Sequence, residues 1–198
     1  MSGNNERIIR HIFYAAHSGV EVQPGLKQGS VLGHEESEGR VQFRFFLLKP
    51  PGSTDKPTQI RFVSEPPEVY DLAWAIEMLL DGKVSSQEYE ASHFKVKSSA
   101  TKTSVSYRLP PHVYESATGK VQTEVGVESY WTTPGDRKFA IFLSRSNDFI
   151  NVPIPRAGFR FAAGFFRHLA LAQCWVEKPR GRSDSAEAAG LNAEQGPK

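Results

Sequence analysis

A single cysteine, Cys174, stands in this chain of 198 residues. One thiol excludes an intrachain disulfide framework and a cysteine zinc site. Its helix-forming apolar neighbours mark it as a buried structural thiol. No apolar run reaches the roughly 20 residues that a membrane span needs. The longest candidate, Phe159 to Trp175, is broken by Arg160, Arg167 and His168. The sequence has no Walker loop and no GxGxxG after a strand. Its six histidines (His11, His17, His34, His93, His112, His168) show no metal-ligand spacing. The run "GHEESEG" lacks the second histidine of a zinc-protease motif, and Ser144, Ser146 and Asp148 form no recognisable triad. No catalytic residue, metal ligand or cofactor is read from the sequence, which does not describe an enzyme.

A strong net charge is also missing: the total is +2. The charges are unevenly placed, however. From Ala91 to Arg145 there are eight basic and four acidic residues; from Ser30 to Glu90 there are six basic and eleven acidic. The second half therefore carries the positive field.

Alternation and helical periodicity divide the chain into two similar units. "RIIRHIFYAA" (Arg7–Ala16) is apolar and β-branched, as a strand should be, and unlike a transit peptide. In Gly39–Pro50, Val41, Phe43, Phe45 and Leu47 point one way, while Gln42, Arg44 and Phe46 point the other. Thr58–Val63 reads as the next strand. A helix follows, capped by Ser64 or Glu65, opened on prolines and ended by Gly82. The pattern then restarts. "SHFKVKSS", "TKTSVSYRLP", Lys120–Trp131 and Arg137–Ser144 read as strands, and "FINVPI" as a short extension. A second helix begins near Pro155. The two helices align at an offset of 90: Val69, Leu72, Ala73, Ile76 and Leu79 match Phe159, Ala162, Ala163, Phe166 and Leu169. The expected fold is α+β, with two units of antiparallel sheet followed by a helix (β4-α-β4-α). Unit one spans about 7–82 and unit two about 91–177, within a single domain 1–177. The polar tail 178–198 has the composition of a disordered segment.

The segment "VPIPRAGFRFAAGFFRHLALAQCW" resembles the C-terminal signature of the Whirly-fold family of single-stranded nucleic-acid-binding proteins. Pro153, Ile154, Arg156, Ala157, Phe159, Phe165 and Trp175 fit the family's order, whereas Pro155 and Gly158 depart from it. The lysine-rich signature of the plant members is absent. Within the fold, the chain is most similar to the kinetoplastid mitochondrial guide-RNA-binding proteins. The resemblance covers roughly residues 7–177. It implies a tetramer with helices at its centre, formed by one chain or with a related subunit. It also implies binding of single-stranded RNA, or DNA, with little sequence preference, and RNA annealing in mitochondrial RNA editing.

The residues themselves suggest where such activity would sit. Phenylalanines on several faces of the second helix need cover on several faces, so Phe159, Ala162, Phe165 and Phe166 are candidates for an oligomer interface. On the wet sheet face, His93, Lys95 and Lys97 share one phase. Lys102, Ser104, Ser106 and Arg108 share the next, with Lys120, Gln122 and Lys138 on following strands. Arg10, Arg44 and Arg61 are the unit-one counterparts. Bases are expected to remain outward or to stack on Phe46, Tyr107 or Trp131. Lysines are ordinary on a solvated antiparallel face, so the argument rests on their recurrence across strands. Two alternatives remain. One is a PUR-like protein, which also uses four strands and a helix per repeat. The other is an architectural subunit that assembles through its helical face.

Overall fold

The computed structural model describes residues 9–31, 34–49, 58–82, 94–99, 101–117, 119–131, 136–146 and 148–175. His93 and the expected tail 178–198 lie outside these residues.

The first sheet is antiparallel, in the order β1 (His11–Tyr14), β2 (Ser18–Val31), β3 (His34–Leu47) and β4 (Gln59–Ser64). Helix α1 (Pro66–Asp81) follows at once. Then come β5 (Lys95–Ser98), β6 (Thr103–Arg108), β7 (His112–Ser116), β8 (Gly119–Trp131), β9 (Arg137–Arg145) and β10 (Asp148–Ile154). They form a six-stranded sheet in the order β10-β9-β8-β6-β5, with β7 paired to the outer part of β8. Helix α2 (Arg156–Cys174) closes the second unit. The α+β, two-unit architecture is the one the sequence pattern predicts. The second sheet has six strands rather than four because β7 is added and "FINVPI" pairs as a full strand along β9.

β2 is the strand that alternation does not announce. It contains Gly19, Pro24, Gly25 and Gly29, residues that read as turn formers. Pro24 is tolerated because β1 has already ended: its last partner on that side is Val22, opposite His11. A missing N–H costs nothing where no second neighbour waits for it.

Both helices lie between the sheets. α1 begins after Glu65, whose backbone N–H donates to the Glu68 carboxylate at 3.0 Å; the Ser64 hydroxyl donates to the same carboxylate at 2.6 Å. It ends at Gly82, which adopts a left-handed φ of 62°. The five α1 positions and their five α2 counterparts at the offset of 90 are all buried. The packing is mainly crosswise: α1 lies on β6 and β8 of the second sheet and touches β3 of the first, and α2 lies on β2 and β3 of the first and touches β9 of the second. Phe166 of α2 meets Phe43 at 5.6 Å and Phe13 at 6.1 Å, while Trp74 of α1 meets Phe94 at 5.8 Å. Phe159 stacks on Phe139 at 5.0 Å. Arg167 bridges the helices through Glu77 at 2.6 Å, and that hydrogen bond holds its guanidinium pKa above the ordinary value.

This packing corrects the expectation for α2. Phe159, Ala162 and Phe166 are wholly buried within the chain, and Phe165 packs on the same core. The two sheets supply the cover that several apolar faces require. The large apolar side chains left outside along α2 are Phe161, 51% exposed, with Leu171 and Trp175, 82% exposed. Cys174 is exposed rather than buried, because it lies on this outer side. No helix among the described residues is long and apolar enough to cross a membrane.

The long β2–β3 hairpin is clamped to the end of α2. A Cβ at Gly39 would overlap the backbone carbonyl of Gln173. The Gln173 amide, oriented to satisfy its nitrogen, donates to the carbonyls of Gly25 at 3.0 Å and Arg40 at 3.1 Å. Gly39→Ala should therefore destabilise the fold by about 1–3 kcal/mol, the usual cost of overpacking a tight contact. Urea unfolding checks this; an unchanged midpoint with an unchanged slope would show that the hairpin is not held there.

Candidate nucleic-acid interface

The register of the second sheet decides which side chains share its outer face. Phe94, Val96, Val105 and Tyr107 turn inward onto α1 and the core. Alternation then sends Lys95 and Lys97 of β5 outward, with Ser104, Ser106 and Arg108 of β6. Cross-strand pairing arranges these in rows. The first row runs Lys97, Ser104, Tyr130, Lys138 over β5, β6, β8 and β9; the next runs Lys95, Ser106, Glu128, Ala140. With neighbouring strands about 4.8 Å apart, the first row is about 14 Å long. A cation stands at each end and an aromatic ring within.

The β5–β6 turn builds the head of this surface. Ser99 N–H donates to the Lys102 carbonyl at 2.8 Å, and the Ser99 hydroxyl accepts from Lys102 N–H at 3.1 Å. The fixed turn directs Lys102 over the Tyr130 ring, 4.3 Å from its centroid. Beside it is an open recess of about 660 Å³ lined by Val96, Lys97, Ser98, Ser99, Lys102 and Ser104. Two ammonium groups and several hydroxyls around an open recess suit a phosphate.

Acidic neighbours temper the other cations. Arg108 pairs with Glu124 at 2.5 Å and covers the Phe142 ring, 4.9 Å from its centroid. Burial raises the Glu124 pKa, but hydrogen bonds from Arg108 and Gln122, with the charges of Arg108 and Lys95, outweigh it and leave the pKa lowered. Lys138 pairs with Asp136 at 3.3 Å. Lys102 lies 3.9 Å from Glu128, a buried carboxyl with one oxygen lacking a hydrogen bond. Burial holds the Glu128 pKa above the carboxylate range, against the nearby charges of Lys102, Arg108 and Lys97. Among the described residues, Lys95, Lys97, Lys120 and Arg61 form no ion pair. Lys120 is in phase but lies farther out, where β8 pairs with β7.

In unit one, Arg10, Arg44 and Arg61 also face outward. Arg10 and Arg44 both pair with Glu21, which is only 2% exposed. The structure thus brings Lys95, Lys97, Lys102, Arg108 and Lys138 onto one face, with Lys120 at its margin; the unit-one arginines occupy the other sheet. Two aromatic candidates are corrected: Tyr107 and Trp131 pack on the inner side, Tyr107 against Phe94 at 5.4 Å and Trp131 beneath Arg137 at 5.5 Å. Phe46 does face outward.

Sequence reasoning missed Glu21, Glu128 and Tyr130. A signal was present: the tripeptide Gly-Val-Glu occurs at Gly19–Glu21 and again at Gly126–Glu128. The structure places the two copies at equivalent points. Gly19 is paired with Phe46 and Gly126 with Phe142, and the glutamate sits one row further along each sheet.

Three solved structures are similar in layout. The plant transcriptional regulator PBF-2 shares 15% identity over 84% of this chain and 82% of its own, with a TM-score of 0.42. WHY1 from Arabidopsis thaliana shares 15% over 85% and 92%, at 0.45. WHY3 from Arabidopsis thaliana shares 13% over 83% and 88%, at 0.47. No protein-family signature matches the chain, and no curated protein matches its sequence.

Glu128 makes the surface pH-sensitive. Proton uptake removes the negative charge beside Lys102, so affinity for a polyanion should rise as pH falls through the raised Glu128 pKa. Burial and the charge of Glu128 raise the Tyr130 pKa, so its phenol stays neutral there. By linkage, the stability tied to this carboxyl falls as pH rises through the same range. Glu128→Gln should bind at neutral pH as wild type does after protonation, with a flatter pH profile. Anisotropy titrations across pH check this; an unaltered profile in the variant would remove Glu128 from the account.

Proposed function

We infer that this chain is a single-stranded RNA-binding protein of low sequence specificity. It holds the phosphate backbone on the outer face of its second sheet and leaves bases free to pair. The observation that carries this reading is the Lys97–Ser104–Tyr130–Lys138 row, headed by Lys102 and the β5–β6 recess. Charge supplies affinity and the platform tolerates any base. A backbone-holding surface of this kind suits annealing of complementary strands in mitochondrial RNA processing or editing, the setting that the resemblance to the kinetoplastid proteins suggests. The proposed action is binding and pairing rather than catalysis.

The exposed apolar side of α2 supports assembly. Phe161, Leu171 and Trp175 lie on the outer side, and the space beside Gly164 is open. A homotetramer, or a heterotetramer with a related subunit, would cover this face and multiply the RNA surface.

Lys95, Lys97 and Lys102 changed together to Ala should weaken RNA binding at least tenfold at low salt. On single strands, the log–log salt slope should become shallower by roughly 2, about 0.7 per lost phosphate contact. Fluorescence anisotropy with labelled single-stranded RNA and its DNA equivalent measures both, with oligomeric mass recorded in the same buffer. A triple variant that binds as wild type would contradict the surface; tighter binding to DNA than to RNA would reassign the ligand.

A further inference from the structure

We propose that the outer face of the first sheet is a second contact for the same strand, a stacking site for one unpaired nucleobase formed by Phe46 and Tyr14. This rests on the RNA-binding reading above.

The argument begins with Gly19. A Cβ there would overlap two ring atoms of Phe46, so the ring lies down across the neighbouring strand rather than standing off the sheet. Tyr14, paired with Gly19 from the other side, meets the Phe46 ring edge-on at 6.0 Å and is 60% exposed. A ring lying on a sheet, beside a second upright ring, forms a corner that accepts a flat group.

Unit two shows what such a corner accepts. Its equivalent ring, Phe142, lies over Gly126 in the same way. The residue that corresponds to Tyr14 is Arg108, opposite Gly126. Its planar guanidinium covers the Phe142 ring, Phe149 flanks it at 5.6 Å, and the ring is buried. Unit two thus fills its corner with a flat side chain of its own. In unit one no cation covers Phe46 among the described residues, and the ring is only partly buried.

Charge favours nucleic acid as the occupant. The adjacent row carries Glu21, Arg44 and Arg61, and Arg10 reaches the same glutamate from β1. Arg10 and Arg44 hold the buried Glu21 carboxylate between them, and among the described residues Arg61, next in the row, forms no ion pair. The corner therefore has an apolar floor and a cationic border. A base can stack while its phosphate meets Arg61.

The test uses the full chain with two substitutions that keep the core intact: Tyr14→Ser at an exposed position, and Phe46→Leu, which retains apolar volume and removes the plane. The probes are a short labelled single-stranded DNA, the RNA of the same sequence, and an abasic strand of the same length. Stacking on aromatics predicts a loss of about fivefold or more on the base-bearing strands for each variant. It predicts no loss on the abasic strand. Equal losses on all three would make the effect structural and overturn the base site. So would unchanged binding by both variants while the lysine triple variant loses affinity. A change of oligomeric mass with unchanged binding would make the face a protein contact instead. Failure of wild type to bind any strand would overturn the RNA-binding reading itself, and the base site with it.

Discussion

The structure depends on two helices that each cover the other unit's sheet. Because α1 lies mainly on the second sheet and α2 mainly on the first, while each also touches its own, the two units share one core. The rings of Phe13, Phe43 and Phe166 meet from three elements of both units. Burying each such side chain contributes roughly 1.5–3 kcal/mol, and only when both units are present. The crosswise arrangement buries the inward residues at the centre of both sheets, among them Val20, Phe43, Val127 and Ile141. Function is thereby confined to the alternate positions, whose direction follows from the inward ones with no freedom to rotate.

The two outer faces share a plan and differ in how they spend charge. Each has a glycine under a phenylalanine and a buried glutamate one row away. In unit one the glutamate is held by two arginines, and the aromatic corner stays open. In unit two the arginine sits on the ring, the glutamate is left with a lysine at 3.9 Å, and strand β5 brings Lys95 and Lys97, which form no ion pair among the described residues. Lysines on an edge strand also oppose unwanted strand pairing, so the same residues keep the edge soluble and present cations to a polyanion. On the proposed reading, the unequal distribution of charge along the chain becomes an unequal division of labour between sheets, with phosphates assigned to the second and a base to the first.

Much of this was legible in the sequence. The alternation of Val41, Phe43, Phe45 and Leu47 against Gln42, Arg44 and Phe46 placed Phe46 outward correctly, because one buried face leaves a strong period of two. The offset of 90 between the helices identified ten buried positions for the same reason at the helical period. β2 was hidden because Gly19, Pro24 and Gly25 serve long-range needs, namely room for Phe46 and a strand whose neighbour has ended, which local propensity reads as turns. Aromatic character alone suggests Tyr107 and Trp131 as outward platforms, whereas Val105 shares their face and turns inward. The role of α2 was misjudged for a different reason. Its phenylalanines spread over several faces, and from sequence alone a second sheet and a second subunit are equivalent ways to cover them.

The central claim is that nucleic acid lies across β5, β6, β8 and β9. Lysine-reactivity footprinting by mass spectrometry, with and without bound single-stranded RNA, tests it most directly. The account predicts strong protection of Lys95, Lys97 and Lys102, partial protection of Lys138, and little change at Lys120 on the outlying β7–β8 hairpin. Unchanged reactivity of Lys95, Lys97 and Lys102 in a complex that demonstrably contains RNA would contradict it.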